Sequence, residues 1–221
     1  FKWSLAEETN EVFFKFKVKI KSEIVTMGVG SLEAGCSGES VDSERWNELL
    51  FDSDVVVVDA RNDYETDIGT FPGAIVPGTK SFRDFPAWAD REMDPAENKR
   101  VAMFCTGGIR CEKASAYLLN NGFEEVYQLD GGILKYLETV EDDKNFWGGE
   151  CFVFDQRVSV NSELEQGHYQ QCFACRHPLS ETDLDSENYE EGVSCSFCFG
   201  EKTQERRDQF RQRQKQVRLA N

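Results

Sequence analysis

Apolar and polar residues alternate over residues 11–26, EVFFKFKVKIKSEIVT. Phe14, Phe16, Val18 and Ile20 fall on one side and Lys15, Lys17, Lys19 and Lys21 on the other, the period of a half-buried strand. The lysine row suits either phosphates or plain solvent, where it would discourage edge pairing. Residues 28–39, GVGSLEAGCSGE, have a linker's composition. From Val41 the pattern changes. Asp42 can cap a helix carrying Trp46, Leu49 and Leu50. VVVVDA at 55–60 is a strand of the kind buried on both faces of a parallel sheet, and a turn and short helix follow it to Glu65. Residues 74–76 read as a brief strand between Gly73 and Pro77, and 81–93 as a helix with Pro86 near its start. A strand at 101–104, a helix at 111–121 closed by Gly122, and a strand at 126–129 follow. Gly131 and Gly132 then open the helix ILKYLE. Strand–helix alternation at this spacing predicts a three-layer α/β unit with a parallel sheet. Beyond Asn145 the rhythm stops. CFVFDQRVSV at 151–160 reads as one strand, and the Gln- and Arg-rich end as a solvated helix or a disordered tail.

The totals narrow the class. A chain of 221 residues with 39% hydrophobic and 30% charged residues is ordinary for a globular protein with a sizeable core. No apolar run approaches the roughly 20 residues of a membrane span, so no membrane partner is expected. The chain starts at Phe1, inside what reads as a strand-rich unit, as a piece of a longer protein would. The net charge of −16 argues against wholesale coating of nucleic acid, but it is uneven. The last 21 residues carry seven Lys/Arg against three Asp/Glu, which leaves the body at −20. An acidic body with a basic tail can still dock a polyanion locally.

Four of the eight cysteines form two pairs, Cys172-Phe-Ala-Cys175 and Cys195-Ser-Phe-Cys198, with 19 residues between them. Four thiolates so spaced suit a tetrahedral structural zinc ion with no open position. Metal binding fits a reducing compartment better than disulfides do, so a cytoplasmic protein is expected. Cys36 and Cys151 have no partner at ligand spacing.

The chemistry concentrates in FCTGGIRCEKAS, residues 104–115. Cys105 ends a buried strand at the carboxyl edge of the predicted sheet, where open α/β sheets bind ligands. Thr106, Gly107, Gly108 and Ile109 form a loop that curls tightly, turns N–H groups inward and ends on a helix N-terminus. Negative charge is stabilised there, so a thiolate on Cys105 becomes populated and nucleophilic, and a persulfide would sit in the same cradle. Arg110 adds a fixed charge for an incoming anion. Cys111 either resolves an oxidised Cys105 or packs behind the loop. Arg61, with Asp59 beyond the valine strand, either reaches a substrate phosphate or braces the loop in an ion pair. Glu112 complements the helix dipole. With His168 and His177 the only histidines, both remote in sequence, a Cys–His protease mechanism is weak.

The strand–CTGGIR–helix unit, with VVVVDARNDYE (55–65), GTFPGAIVPGT (69–79) and VYQLDGGILKYLE (126–138), resembles the rhodanese domain. With WGGECFVFDQRV (147–158) and the two cysteine pairs, it is similar to the bacterial rhodanese-like tRNA uridine hydroxylases. The resemblance implies an α/β rhodanese-like three-layer fold at 41–145, preceded at 1–30 by the end of a truncated ferredoxin-like α+β domain. A small Cys-rich segment with a basic tail would follow at 146–221. It also implies oxygen-dependent hydroxylation of the wobble uridine of tRNA, recognised in the anticodon region, with Cys105 essential and molecular oxygen as co-substrate. No haem, flavin or iron motif stands out, and no organic cofactor is expected. The same cysteine fits a sulfurtransferase carrying sulfane sulfur, or an anion-binding module; the intact Cys105 counts against the last.

Overall fold

The computed structural model describes residues 18–30 and 36–220. Its centre is a four-stranded parallel sheet of β1 (Glu39–Val41), β2 (Val55–Asp59), β4 (Arg100–Phe104) and β5 (Glu125–Leu129), in the order β1-β5-β4-β2. Alternation along the strands divides the core. Val58, Val101, Met103 and Val126 face α3 (Phe85–Glu92) and α4 (Ile109–Asn120), meeting Phe85, Trp88, Ala114 and Leu118. Val57, Ala102, Phe104, Tyr127 and Leu129 face α1 (Ser43–Leu50) and α5 (Gly132–Thr139), meeting Trp46, Leu49, Ile133 and Tyr136. Helices thus cover both faces, giving the three layers expected of this pattern. Asp42 caps α1 by accepting from the Arg45 amide at 2.9 Å.

Several local expectations change. Much of the strand expected at 11–26, and of the ferredoxin-like unit, lies outside the described residues. Residues 18–26 form no strand, and Val18, Ile20 and Ile24 are exposed, because no neighbouring strand pairs with them among the described residues. The linker ends earlier than composition suggests: residues 39–41 pair with β5. The strand expected at 74–76 shrinks to one parallel bridge from Ile75 to Val58, cut off by Gly73 at positive φ and by Pro77. Residues 151–160 bend into a hairpin of β7 (Cys151–Phe152) and β8 (Ser159–Val160). Its turn forms because the Asp155 carboxylate accepts from the Arg157 amide and Val158 takes φ 66°.

Between the main elements lie α2 (Asp63–Thr66) and β3 (Gly69–Thr70), which pairs with β6 (Gly148–Gly149). The end of the chain holds β9 (Gln170–Gln171), β10 (Pro178–Leu179), α6 (Glu181–Leu184) and α7 (Gln204–Ala220). The basic tail is thus a helix, with Arg211 bound to Glu190 and Arg218 to Glu191. The expected boundary at 145/146 falls inside a packed unit. Trp147, Cys151, Val153 and Val160 share a core with Phe71 and Phe104.

Candidate active site

Cys105 follows β4 directly and precedes α4, whose N-cap, Gly108, sits in the left-handed region at φ 82°. Two forces shape the loop between them. The first turn of α4 sends the amides of Arg110 and Cys111 to the Cys105 sulfur. From the far side, α5 holds the loop's carbonyls: Ile133 donates to the Cys105 carbonyl at 3.0 Å and Leu134 to the Thr106 carbonyl at 3.1 Å. That approach is possible only because residue 132 is glycine. At φ 67° a Cβ there would lie 2.2 Å from the Cys105 carbonyl oxygen and 2.7 Å from the Gly108 nitrogen.

Cys105 is 1% exposed, yet its surroundings are not simply apolar. The Cys111 thiol donates to its sulfur, Arg110 stands nearby as a cation and the two amides add to both. Together they outweigh burial and hold the Cys105 thiol down at about 5. Cys111 moves the other way: burial, then the neighbouring thiolate, raise it far above the usual thiol range. The pair is a thiolate facing a thiol. The two readings of Cys111 merge here, since the side chain both packs inward and meets Cys105. Cys151, buried near Arg61, is pushed up to about 12 by burial.

Arg110 is only 8% exposed and forms a two-pronged pair with Glu65, at 2.5 and 2.7 Å. Its charge is thus shared between Glu65 and Cys105 and is not presented to solvent for an incoming anion. Thr106 belongs to the same network, donating to Glu65 at 3.2 Å and accepting from Arg110 at 3.2 Å. Gly107 and Ile109 are partly exposed at the rim. Arg61 is a brace. Fully buried, it donates to both Asp59 oxygens (2.8 and 2.6 Å), to the Glu65 carbonyl at 3.1 Å and to the Gly69 carbonyl at 2.6 Å. Its guanidinium is enclosed by these partners and closed to solvent.

Glu65 is the residue that motif reading missed, appearing there only as the end of a short helix. Its trace was visible: Asn62-Asp-Tyr-Glu65 has the spacing of a capping box, and the Glu65 half of it forms, with the Asn62 amide donating to Glu65 at 3.3 Å. The sequence held no sign that the same carboxylate would also meet Arg110 through both of its oxygens.

The sulfurs of Cys172, Cys175, Cys195 and Cys198 all lie within 4.8 Å of one another, and no disulfide joins the described cysteines. Zinc–sulfur bonds of about 2.3 Å place tetrahedral ligands about 3.8 Å apart. The Cys175–Cys195 and Cys195–Cys198 separations are 3.7 and 3.8 Å. The donor set therefore fits a tetrahedral metal ion. No helix among the described residues is long and apolar enough to cross a membrane.

Residues 43–139 match the family described as the rhodanese-like domain. A protein of Teredinibacter turnerae named tRNA uridine(34) hydroxylase is 52% identical over 214 residues, covering 96% of this chain and 67% of that protein. Among solved structures, a rhodanese-like domain protein from Staphylococcus aureus is 27% identical. It covers 44% of this chain and 90% of its own, with a TM-score of 0.37.

Proposed function

Since this chain belongs to the tRNA uridine(34) hydroxylase family, we propose that it converts the wobble uridine of tRNA to 5-hydroxyuridine, with molecular oxygen as co-substrate and Cys105 as the reacting group. The observation that carries this reading is a thiol held near 5 by Cys111, Arg110 and two amides, at the carboxyl edge of a parallel sheet. Such a sulfur is a thiolate at neutral pH. Pyrimidine C6 accepts soft nucleophiles, and a Cys105–C6 bond would place electron density on C5, the atom to be hydroxylated. Incorporating one oxygen atom while the other leaves as water consumes two electrons and two protons. Once Cys105 has left C6, it and Cys111 can supply the two electrons and one proton by closing to a disulfide, the second proton coming from solvent, and a cellular thiol must reduce that disulfide before the next turnover. Because Cys105 is closed to solvent, the ring gains access only when the loop opens.

The four-cysteine cluster holds a structural zinc in this reading, and the compartment is the reducing cytoplasm, where its thiols stay available as ligands. Nucleoside analysis of tRNA tests the proposal. Cells lacking the protein lose wobble 5-hydroxyuridine, wild-type protein restores it and the Cys105→Ser variant does not. Restoration by that variant rules out Cys105 chemistry. Thiocyanate formed from thiosulfate and cyanide at enzyme-like rates, with unchanged tRNA, would instead make the protein a sulfurtransferase.

A further inference from the structure

Two side chains near the loop have no role in the chemistry above. Phe154 is 60% exposed at the end of the β7 arm. Its ring meets Phe152 edge-on at 5.2 Å, and the Arg110 guanidinium lies 5.7 Å from its centroid. It therefore stands over the residue whose charge acts on Cys105. Tyr64 also packs edge-on against Phe152, its ring 5.2 Å away. Arg176 comes to the same region from the Cys-rich segment: its neighbour His177 meets Asp67, which ends the helix carrying Tyr64, at 3.4 Å, and Arg176 acts electrostatically on the Tyr64 hydroxyl, as Arg110 does.

Arg176 is unusual in its backbone. It follows Cys175 at the point where the first cysteine pair turns back, and its amide donates to the Cys172 carbonyl at 2.7 Å. The turn demands the left-handed region, and Arg176 adopts φ 74°. Glycine takes that conformation freely, whereas a side chain there costs about 1–2 kcal/mol. Val158 and Leu164 share this conformation, so at Arg176 it is the free cation, rather than the strain, that points to use. Arg176 is exposed and makes no ion pair among the described residues, whereas Arg211 and Arg218 are committed to Glu190 and Glu191. On a chain of net charge −16, an uncommitted cation beside the mouth is a specific attraction for an anion.

We propose that Phe154 and Arg176 form a docking surface for single-stranded RNA at the entrance to the Cys105 loop. A base next to the reacting uridine stacks on the Phe154 ring and Arg176 binds a flanking phosphate. An exposed aromatic face with a nearby guanidinium is the combination that holds unpaired nucleotides; a duplex keeps its base faces hidden. The surface rests on the tRNA reading and names the contacts that would deliver the substrate.

The test is binding of the full chain to a labelled anticodon stem-loop RNA with uridine at position 34, over a series of salt concentrations. Phe154→Ala weakens binding about tenfold or more, and Phe154→Leu, which keeps the packing on Phe152, weakens it comparably. Arg176→Gly weakens binding severalfold and lowers the log–log salt slope by about 0.7. It keeps or raises the melting temperature and leaves the Cys105 thiolate titration unchanged. Wild-type affinity and slope in all three variants overturns the surface, as does equal affinity of the wild type for a blunt duplex. The two readings fail separately. If cells lacking the protein lose 5-hydroxyuridine yet the variants bind normally, only the surface falls. If the variants bind poorly yet deleted cells keep 5-hydroxyuridine, only the hydroxylase reading falls.

Discussion

At the scale of single residues, the site is a chain of charges from Glu65 through Arg110 to Cys105. Breaking a buried ion pair on one side costs about 3–5 kcal/mol, because the remaining charge has no partner. Arg110→Met should therefore lower stability by about that amount and raise the Cys105 thiol from about 5 toward the ordinary thiol range. Adding Glu65→Gln should return most of the stability and leave the thiol high, since the cation is still missing. Ultraviolet thiolate absorbance, taken as the difference from Cys105→Ser, measures the titration, and denaturant unfolding measures stability. Full recovery of the low titration in the double variant would show that the helix amides and Cys111 suffice alone. Stability should also follow pH. Cys105 is depressed in the folded chain, so its contribution is present above the unfolded thiol value of about 8.5 and is lost as pH falls toward about 5. Cys111 is raised, so its contribution is lost as pH climbs past that same unfolded value. The pair stabilises most near the ordinary thiol pKa.

At the scale of elements, the site depends on where two helices begin. The α4 N-terminus supplies amides to the sulfur, and the α5 N-terminus holds the loop's carbonyls. Gly132→Ala should displace the loop, raising the Cys105 thiol as well as lowering stability, because its Cβ meets backbone atoms that cannot swing aside. Gly122→Ala is the control: φ is also positive, 89°, but nothing lies within 4 Å of the added carbon, so only backbone strain of about 1–2 kcal/mol is expected. Equal effects of the two substitutions on the Cys105 titration would contradict the α5 clamp. The helices, the buried strands and the cysteine at the end of β4 were legible in the sequence, because apolar period and glycine punctuation are local signals. The Glu65–Arg110 pair spans 45 residues and the Trp147 contact with Phe71 spans more, and neither leaves a periodic trace. The 151–160 hairpin was hidden for another reason: its apolar run Cys151–Phe154 and the later Val158 and Val160 read as one continuous strand, and only the Asp155–Arg157 turn and a left-handed Val158 reverse it.

At the scale of the whole molecule, two kinds of cohesion meet between residues 147 and 172. Residues 147–160 are held by apolar burial, with Trp147 5.0 Å from Phe71, 6.3 Å from Phe104 and under the Arg61 guanidinium at 5.1 Å. Farther on, the buried cluster shrinks to Leu179 and the cysteines, with Leu184 and Tyr189 partly buried around them and Val193 and Phe210 buried nearby in sequence. So small a core does not offset the chain entropy of its segment, and on the proposed zinc reading metal ligation supplies the difference. Among the described residues, the ion contacts Lys80–Glu201 at 3.1 Å and His177–Asp67 at 3.4 Å each have a solvent-exposed partner and add little. If the cluster holds the proposed zinc, chelation should release it and expose residues 170–220 to protease and rapid amide exchange, while residues 41–160 stay protected. Trp147→Ala should do the reverse, costing about 3–5 kcal/mol in the sheet unit and leaving zinc content unchanged. Hydrogen exchange read by mass spectrometry, beside metal analysis, separates the two. If chelation unfolds both regions together, the cysteine cluster and the sheet form one cooperative unit and the division drawn here is wrong. If they separate, chelation also removes Arg176 from the entrance while Cys105 stays in its cradle. RNA affinity should then fall with the thiolate titration unchanged.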